Sequence, residues 1–109
     1  MLFRSEIERE PIAAFRLQGQ AVAYYALGRK KESDTALSEF IAKYQTSAAF
    51  QIADVYASRR ESDKAFEWLE QAYVQHDGGV ASTKWDPLLK NLRGDPRYIA
   101  FLKKLRLPL

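Results

Sequence analysis

The sequence has 109 residues, of which 47% are hydrophobic and 28% charged, a balance typical of a folded domain with one modest core. No apolar run reaches the roughly 18 residues that a membrane-spanning helix needs, and the first ten residues do not resemble a signal peptide. Cysteine is absent, so disulfides and thiolate metal sites are excluded. We expect no membrane association and take a cytoplasmic location as the default.

Positive charge is concentrated in the last quarter of the chain. The net charge is +3, but from Lys84 onward seven basic residues stand against two acidic ones, so this segment carries +5 and the rest −2. Such a segment suits an acidic partner, although a charge run is more often a solvated helix face. The candidate basic patch consists of Lys90, Arg93, Arg97, Lys103, Lys104 and Arg106.

The first two predicted helices form a hairpin. Proline is tolerated in a first helical turn, so the first helix is expected to begin near Glu10 or Pro11. It would run to Leu27, with Gly28 as the stop. After a basic turn, a second helix is predicted over residues 32–44, because its apolar residues recur at i, i+3, i+4 and i+7. These residues are Leu37, Phe40, Ile41 and Tyr44.

A second hairpin follows. The third helix, over residues 48–58, is apolar nearly all round, and Thr46 or Ser47 is a candidate for its N-cap. The fourth helix is expected to begin with Ser62 as N-cap and to end at Asp77-Gly78-Gly79. Its inward face again has helical spacing and consists of Ala65, Phe66, Leu69, Ala72 and Tyr73.

The last segment has two short predicted helices. Asp86-Pro87 and Asp95-Pro96 each combine an N-cap aspartate with a proline at the first helical position. They predict helices over residues 87–92 and 96–105. Every predicted element is therefore helical, and the short connections indicate antiparallel hairpins.

The two hairpins are imperfect copies of each other. Ala21 and Ala53 are 32 residues apart, as are Tyr24 and Tyr56, Ser33 and Ala65, and Leu37 and Leu69. A competing register exists, because Glu32-Ser33-Asp34 recurs as Glu61-Ser62-Asp63 at an offset of 29. That register would make the first turn about three residues longer than the second. Both registers indicate a helical repeat, since a period in the thirties is typical of helical solenoids.

These positions resemble the tetratricopeptide repeat, a helix-turn-helix unit of 34 residues. The second copy matches with Ala53, Tyr56, Ala65, Leu69 and Ala72, and has Arg60 where the family has a turn glycine. The first copy matches with Ala21, Tyr24, Gly28, Ser33 and Leu37, with Phe40 at a small position. The resemblance implies a single all-α domain over residues 1–109, a short right-handed solenoid of antiparallel helix hairpins. Repeats would occupy residues 14–45 and 46–79, and residues 80–109 would form a capping helical segment.

The resemblance also bears on the two ends of the chain. Pro11 falls where the family often has a proline before a repeat begins, so residues 1–13 are interpreted as the end of a preceding repeat in a longer array. The alternative is an independent domain with a frayed N-terminus. An exposed seam on the N-terminal helix would favour self-association. Residues 82–108 resemble the end of tetratricopeptide regions in multidomain bacterial signalling proteins, through Trp85-Asp86-Pro87-Leu88-Leu89, Leu92-Arg93, Asp95-Pro96-Arg97-Tyr98 and Leu102. There such regions act as sensory or scaffolding appendages.

No arrangement of residues predicts catalysis or cofactor binding. His76 is the only histidine, so neither a histidine metal site nor a catalytic triad has enough members. Gly78-Gly79 follows a helix rather than a strand and lacks the lysine of a phosphate-binding loop. We therefore expect no enzyme, no metal and no cofactor.

The predicted function is protein binding. In the family, the first helix of each hairpin lines a concave groove, and the matching positions here are Phe15, Gln18, Val22, Tyr25, Ala26, Ser47, Phe50, Asp54, Ala57 and Ser58. This mostly apolar groove suits a peptide or an amphipathic helix of a partner, or another domain of the same protein. It would equally be covered by further repeats or by a second copy. The alternative function is the binding of nucleic acid or another acidic surface through the basic patch.

Overall fold

The computed structural model describes the backbone of residues 4–106 and the side chains of residues 12–106. Within these residues all regular structure is helical, which confirms the predicted all-α class. The elements are α1 (Arg4–Ala26), α2 (Lys30–Tyr44), α3 (Ala49–Ser58), α4 (Ser62–Val74) and α5 (Pro96–Lys104), with two 3₁₀-helices, η1 (Gly78–Ser82) and η2 (Pro87–Leu92), between α4 and α5. No helix in this part of the chain is long and apolar enough to cross a membrane.

The chain divides into two compact units, the first ending at Gln45 and the second beginning at Thr46. The first unit is the hairpin of α1 and α2. Small residues lie where its helices meet, since Ala21 on α1 and Ser33 on α2 are both fully buried. The Ser33 hydroxyl donates a hydrogen bond of 2.6 Å to the Ala21 carbonyl. A buried hydroxyl therefore has a backbone partner, and the helices can approach closely.

The start of α1 differs from the prediction. The helix begins at Arg4, so Pro11 lies inside it and not at its first turn. Inside a helix, proline removes one backbone hydrogen bond and its ring crowds the carbonyl four residues earlier, which disfavours the helix; its fixed φ is nevertheless helical, so α1 can continue through Pro11. The prediction of a start near Glu10 or Pro11 is wrong, and residues 5–10 belong to α1 rather than to a separate preceding helix.

The turn between α1 and α2 is closed by Gly28, as predicted. Gly28 has a φ of +79°, in the left-handed region that glycine adopts without strain. Its N–H donates to the Tyr25 carbonyl at 3.0 Å, and the Arg29 N–H donates to the Tyr24 carbonyl at 2.8 Å. This pair of bonds is the Schellman arrangement that satisfies the last carbonyls of a helix.

The turn between α3 and α4 repeats this geometry with a different residue. Arg60 has a φ of +61°, and its N–H donates to the Ala57 carbonyl at 3.0 Å. The next N–H, of Glu61, donates to the Tyr56 carbonyl at 3.0 Å. The helices before the two turns end at Ala26 and Ser58, and those after them begin at Lys30 and Ser62. The turns are therefore equal in length at an offset of 32, and the alternative offset of 29 is wrong.

Three predicted helix ends in the second unit are corrected. Ser62 is the first residue of α4, whose N-cap position is Glu61, and neither Thr46 nor Ser47 but Ala48 occupies the N-cap position of α3. No side chain at these two N-cap positions makes a capping hydrogen bond. The left-handed residue after α4 is His76, with a φ of +57°, and not one of the glycines.

Asp77 supplies the missing cap of α3 from a distance. Its Oδ2 accepts a hydrogen bond of 3.1 Å from the Phe50 N–H, in the first turn of α3. Its Oδ1 accepts one of 2.8 Å from the Gly79 N–H, which caps η1. One carboxylate thus satisfies unpaired donors at the start of two helices, where negative charge is also favoured by the helix dipole.

The C-terminal segment contains a third pair of consecutive helices, η2 and α5, next to the second pair. The predicted caps are confirmed, since Asp86 accepts from the Leu88 N–H and Asp95 from the Arg97 N–H, each at 2.9 Å. η2 ends at Leu92 and α5 begins at Pro96, which is 34 residues after the corresponding boundaries of α3 and α4. Three hydrogen bonds link the pairs at this same spacing: Asn91 Nδ2 to the Ala57 carbonyl, Arg97 to Asp63, and Lys104 to Glu70.

The core of the second unit is shared by its helix pairs. Aromatic and aliphatic side chains of α3, α4, η2 and α5 form one buried cluster, which includes Phe50, Phe66, Leu69, Leu89, Leu92, Tyr98, Phe101 and Leu102. The Tyr98 hydroxyl also donates to the carbonyl of buried Thr83 at 3.3 Å. Residues 80–106 are therefore part of the core of this unit rather than a loose extension.

Candidate protein-binding surface

The predicted groove residues of the first helix pair lie along one side of α1. Phe15, Gln18, Val22 and Tyr25 follow each other at helical spacing. The Phe15 side chain is 76% exposed, and the other three are partly buried. The side of α1 that packs within the hairpin is a different one, formed by Leu17 and Ala21. These four residues are therefore available as one edge of a binding surface.

The exposed side of α1 is apolar and almost uncharged. Between Ile12 and Ala26 the sequence contains one charged residue, Arg16. Ile12 is 67% exposed, and Ala23 and Ala26 are also exposed. A surface helix normally carries charged residues on its outer face, and a contiguous exposed apolar patch is typical of an interaction site. We name this side of the helix, formed by Ile12, Phe15, Gly19, Val22, Ala23 and Ala26, the α1 apolar face.

The predicted groove residues of the second helix pair are not exposed in the same way. Phe50 is 2% exposed and Asp54 4% exposed. The Phe50 ring belongs to the core of the second unit, and a Cβ placed on Gly79 would lie only 2.8 Å from its Cδ2 atom. The groove assignment requires exposure that Phe50 and Asp54 lack, because η1 and η2 pack against α3.

The three remaining groove positions divide between exposed and buried. Ser58 is partly buried, and its hydroxyl donates to the Val55 carbonyl at 2.7 Å. Ser47 is exposed, whereas Ala57 is fully buried. The structure thus brings the five predicted residues of α1 together, Ala26 included, and does not place the α3 set on an open surface of the second unit.

A cleft that the sequence did not predict lies between α1 and α2. It has a volume of about 590 Å³, and its floor is formed by Leu17 and Ala36. Its walls are polar and consist of Arg16, Gln20, Tyr24, Lys31, Glu32, Thr35 and Glu39. Several of these side chains already have partners within the hairpin. Arg29 lies 5.4 Å over the Tyr24 ring and forms an ion pair with Glu32, and the Thr35 hydroxyl donates to the Lys31 carbonyl.

The polar residues that line this cleft recur in the sequence at helical spacing. Arg16, Gln20 and Tyr24 recur at i, i+4 and i+8 on α1, and Lys31, Thr35 and Glu39 do so on α2. Such rows form the ridges at the edges of a helix pair. The signal is weak because solvated helix faces have the same spacing.

Arg97, one residue of the basic patch, is a structural residue of the α4–α5 contact. Its Nη1 donates to Asp63 at 2.9 Å and its Nη2 to Asp95 at 2.8 Å, while the guanidinium lies 4.5 Å over the Phe66 ring. The side-chain hydrogen bonds from Arg97, followed by that from its backbone N–H, hold the pKa of the Asp95 carboxyl below its ordinary value of 3.8. The same bonds to Asp95 and Asp63 raise the pKa of Arg97.

Lys104 is held in a similar way. Its Nζ forms an ion pair with Glu70 and lies 4.6 Å from the centre of the Tyr73 ring. The other four members of the basic patch are Lys90, Arg93, Lys103 and Arg106, and all six members are exposed. Two of the six predicted cations thus contribute to the packing of α5 on α4, which reduces the charge that this patch presents to an acidic partner.

The remaining polar and aromatic candidates lie at the surface or at the edge of the core of the second unit. His76 is exposed at the turn after α4. Trp85 is 65% exposed with Lys84 Nζ 6.0 Å from its ring, and Trp68 packs partly against the core. Within the residues that the structure describes, no cluster of three or more histidines and carboxylates could hold a metal ion.

Comparison with known proteins gives no match: no family model, no curated protein and no solved structure matches the chain.

Proposed function

We propose that the chain is a protein-interaction module of the tetratricopeptide-repeat type, built from three helix pairs. The support is the recurrence of its elements at offsets of 32 and 34 residues, close to the 34-residue period of that family. Further support comes from the equal turns at Gly28 and Arg60 and from small buried residues where paired helices meet. In this proposal α1–α2, α3–α4 and η2–α5 are successive units of a short right-handed solenoid.

The module binds a segment of another protein on α1. The observation that carries this proposal is the 76% exposure of Phe15 on a helix that has a single charged residue between positions 12 and 26. An amphipathic helix or an extended apolar segment is the ligand that such a surface suits. Val22 supplies a second apolar contact, and Gln18 and Tyr25 form the polar edge that fixes the orientation of the ligand.

The biological setting that we propose rests on the C-terminal resemblance. Residues 82–108 resemble the end of tetratricopeptide regions in bacterial signalling proteins, so the module would be a regulatory appendage of a larger protein. Its ligand would then be a segment of a partner protein or of another domain of the same protein. This setting requires neither an enzyme activity nor a cofactor of the module itself.

A selection of displayed amphipathic peptides against the chain tests the proposed binding. We expect Phe15→Ala to weaken the affinity of selected peptides by about tenfold or more, because an exposed aromatic anchor contributes most of the binding energy of a small interface. Fluorescence anisotropy with labelled peptides measures the dissociation constants. The matched control is Trp85→Ala, which removes an exposed aromatic side chain from the second unit and should leave the affinity unchanged.

Two outcomes would contradict the proposal. Peptides whose binding is insensitive to Phe15→Ala would place the ligand elsewhere on the molecule. A loss of affinity in both variants would indicate a non-specific apolar interaction. Circular dichroism of each variant shows whether the helices are retained.

A further inference from the structure

Gly19 has no role within the hairpin that explains its presence. It lies in the interior of the 23-residue helix α1, where glycine is the least favourable residue after proline. Its φ is not positive, since Gly28 is the only glycine with a left-handed conformation in the described residues. A Cβ added to Gly19 would meet no atom within 4 Å. Neither the backbone conformation nor the packing of this chain therefore requires a glycine at this position.

Gly19 lies in the middle of the α1 apolar face. The line Ile12, Phe15, Gly19, Ala23 and Ala26 follows helical spacing, and all five residues are exposed. The large side chains are on the N-terminal half of this line, and the small ones are on the C-terminal half. The face is therefore complementary in shape to its own reversed copy.

We propose that the partner of the α1 apolar face is a second copy of the chain, with the two α1 helices antiparallel and crossing at Gly19. In this arrangement Phe15 of one copy lies against Ala23 of the other, and Ile12 lies against Ala26, because the members of each pair are equally distant from Gly19 in the sequence. The absence of a side chain at the crossing point allows the two backbones to approach closely. Such an interface is self-complementary, as a two-fold dimer requires.

The charges on α1 are compatible with this pairing. Arg16 is the only charged residue between positions 12 and 26, and its symmetric position is Val22. Between positions 12 and 26, no two like charges therefore lie opposite each other across the axis. A single pair of helix faces is smaller than the roughly 800 Å² per partner of a standard interface. We accordingly expect a reversible dimer with a dissociation constant of about 1–100 µM.

This inference rests on the proposed function, because it names a partner for the same exposed side of α1. The peptide site and the dimer contact can be tested separately. Gln18 and Tyr25 border the peptide site, but they do not belong to the row of residues that would cross its own copy at Gly19.

Sedimentation equilibrium of the full chain, from about 1 µM to about 500 µM, tests the dimer directly. We expect the wild type to dimerise and Gly19→Leu to weaken dimerisation at least about tenfold, since leucine would separate the helices. The Gly19→Leu protein should nevertheless unfold at a higher temperature than wild-type monomer, because leucine is the better helix former. The matched control is Gln20→Leu, which adds the same side chain at the next position, outside the α1 apolar face, and should dimerise like the wild type.

A disulfide provides a second measurement that does not depend on affinity. The chain has no cysteine, so a Gly19→Cys variant has one thiol. On a two-fold axis this thiol meets its own copy, and close crossing matches the roughly 4.4–6.8 Å Cα separation of a disulfide. We expect oxidation to join Gly19→Cys into covalent dimers much faster than Gln20→Cys. Equal rates for the two variants would overturn the proposed crossing point.

The remaining outcomes distinguish the two proposals. A wild type that stays monomeric throughout the concentration series, or a Gly19→Leu protein that dimerises normally, overturns the dimer. If selected peptides still bind that monomer in a Phe15-dependent way, the proposed function stands without the dimer. If the dimer forms as expected but the chain selects no peptide whose binding depends on Phe15, the dimer is supported and the peptide site is rejected.

Discussion

Arg60 adopts a backbone conformation that side chains other than glycine disfavour. Its φ of +61° closes α3 with the same two hydrogen bonds that Gly28, at +79°, uses to close α1. For an L-residue with a Cβ the left-handed region costs roughly 1–2 kcal/mol. The bonds of the Schellman turn offset that cost, because they satisfy carbonyls at the end of a packed helix.

We predict that Arg60→Gly raises the free energy of unfolding by about 0.5–1 kcal/mol. The relief of backbone strain exceeds the entropy that glycine adds to the unfolded chain. Urea denaturation measures the change. The reciprocal variant, Gly28→Arg, should lower the free energy of unfolding by a similar amount. A destabilised Arg60→Gly protein would mean that the arginine side chain makes contacts worth more than the strain.

The sequence predicted one of these turns better than the other. Gly28 is recognisable from its residue type, because glycine after a helical run is a common stop. Arg60 has the same conformation in the equivalent turn, and its residue type gives no sign of it. The equal offset of 32 residues in Ala21/Ala53 and Leu37/Leu69 was the better guide to the turn.

At the scale of elements, α3 shows how a helix can depend on a distant residue. Its N-cap position is Ala48, which has no side-chain acceptor. The acceptor is Asp77, whose Oδ2 lies 3.1 Å from the Phe50 nitrogen although the two residues are 27 positions apart. Local capping rules consider only adjacent residues, and they therefore predicted Thr46 or Ser47 as the N-cap of α3. The helix was predictable, but its cap was not.

We predict that Asp77→Ala lowers the free energy of unfolding by about 1–2 kcal/mol, because donors at the start of α3 and η1 lose their acceptor. Asp77→Asn should keep part of this stability, since an amide oxygen can still accept one of the two bonds. Ser47→Ala is the control and should change stability by less than about 0.5 kcal/mol. The interpretation fails if Ser47→Ala is as destabilising as Asp77→Ala. Urea denaturation of the four proteins makes the comparison.

The candidate site was predictable to the extent that it depends on one helix. Helical spacing on α1 brings Phe15, Val22 and Tyr25 to one side, and the structure has them there. The spacing on α3 is equally regular, but Phe50 and Asp54 are buried. Periodicity identifies which residues share a face and does not identify what covers that face. η2 was predicted as a helix from its Asp86-Pro87 start, but neither 3₁₀ segment has a periodic pattern that shows that it packs against α3.

At the scale of the whole molecule, the C-terminal segment proved to be a third helix pair. The boundaries of η2 and α5 and three hydrogen bonds to the second pair share a spacing of 34 residues. This 34-residue spacing was not recognised in the sequence, because η2 is a 3₁₀-helix of only six residues. In addition, the positions equivalent to buried Ala65 and Leu69 are occupied by exposed Ile99 and Lys103. These two positions therefore do not repeat the buried residues by which the first two pairs were matched.

Because the second and third pairs share one core, we predict that the second unit unfolds as a whole. Phe101 on α5 is 3% exposed and belongs to the same cluster as Phe66 and Leu69 on α4. Phe101→Ala should lower the free energy of unfolding by about 3–5 kcal/mol, through lost burial and the cavity that remains. Hydrogen exchange should then show reduced amide protection in α3 and α4 as well as in α5.

The matched control is Ile99→Ala on the same helix, because this side chain is 41% exposed and its loss should cost less than about 1 kcal/mol. It should leave the exchange of α3 and α4 unchanged. If Phe101→Ala exposes the amides of α5 alone, α5 unfolds separately and α3–α4 is stable without it. If protection is lost in all three helices together, the hydrogen bonds at the 34-residue spacing and the shared core join α3, α4 and α5 into one cooperative unit.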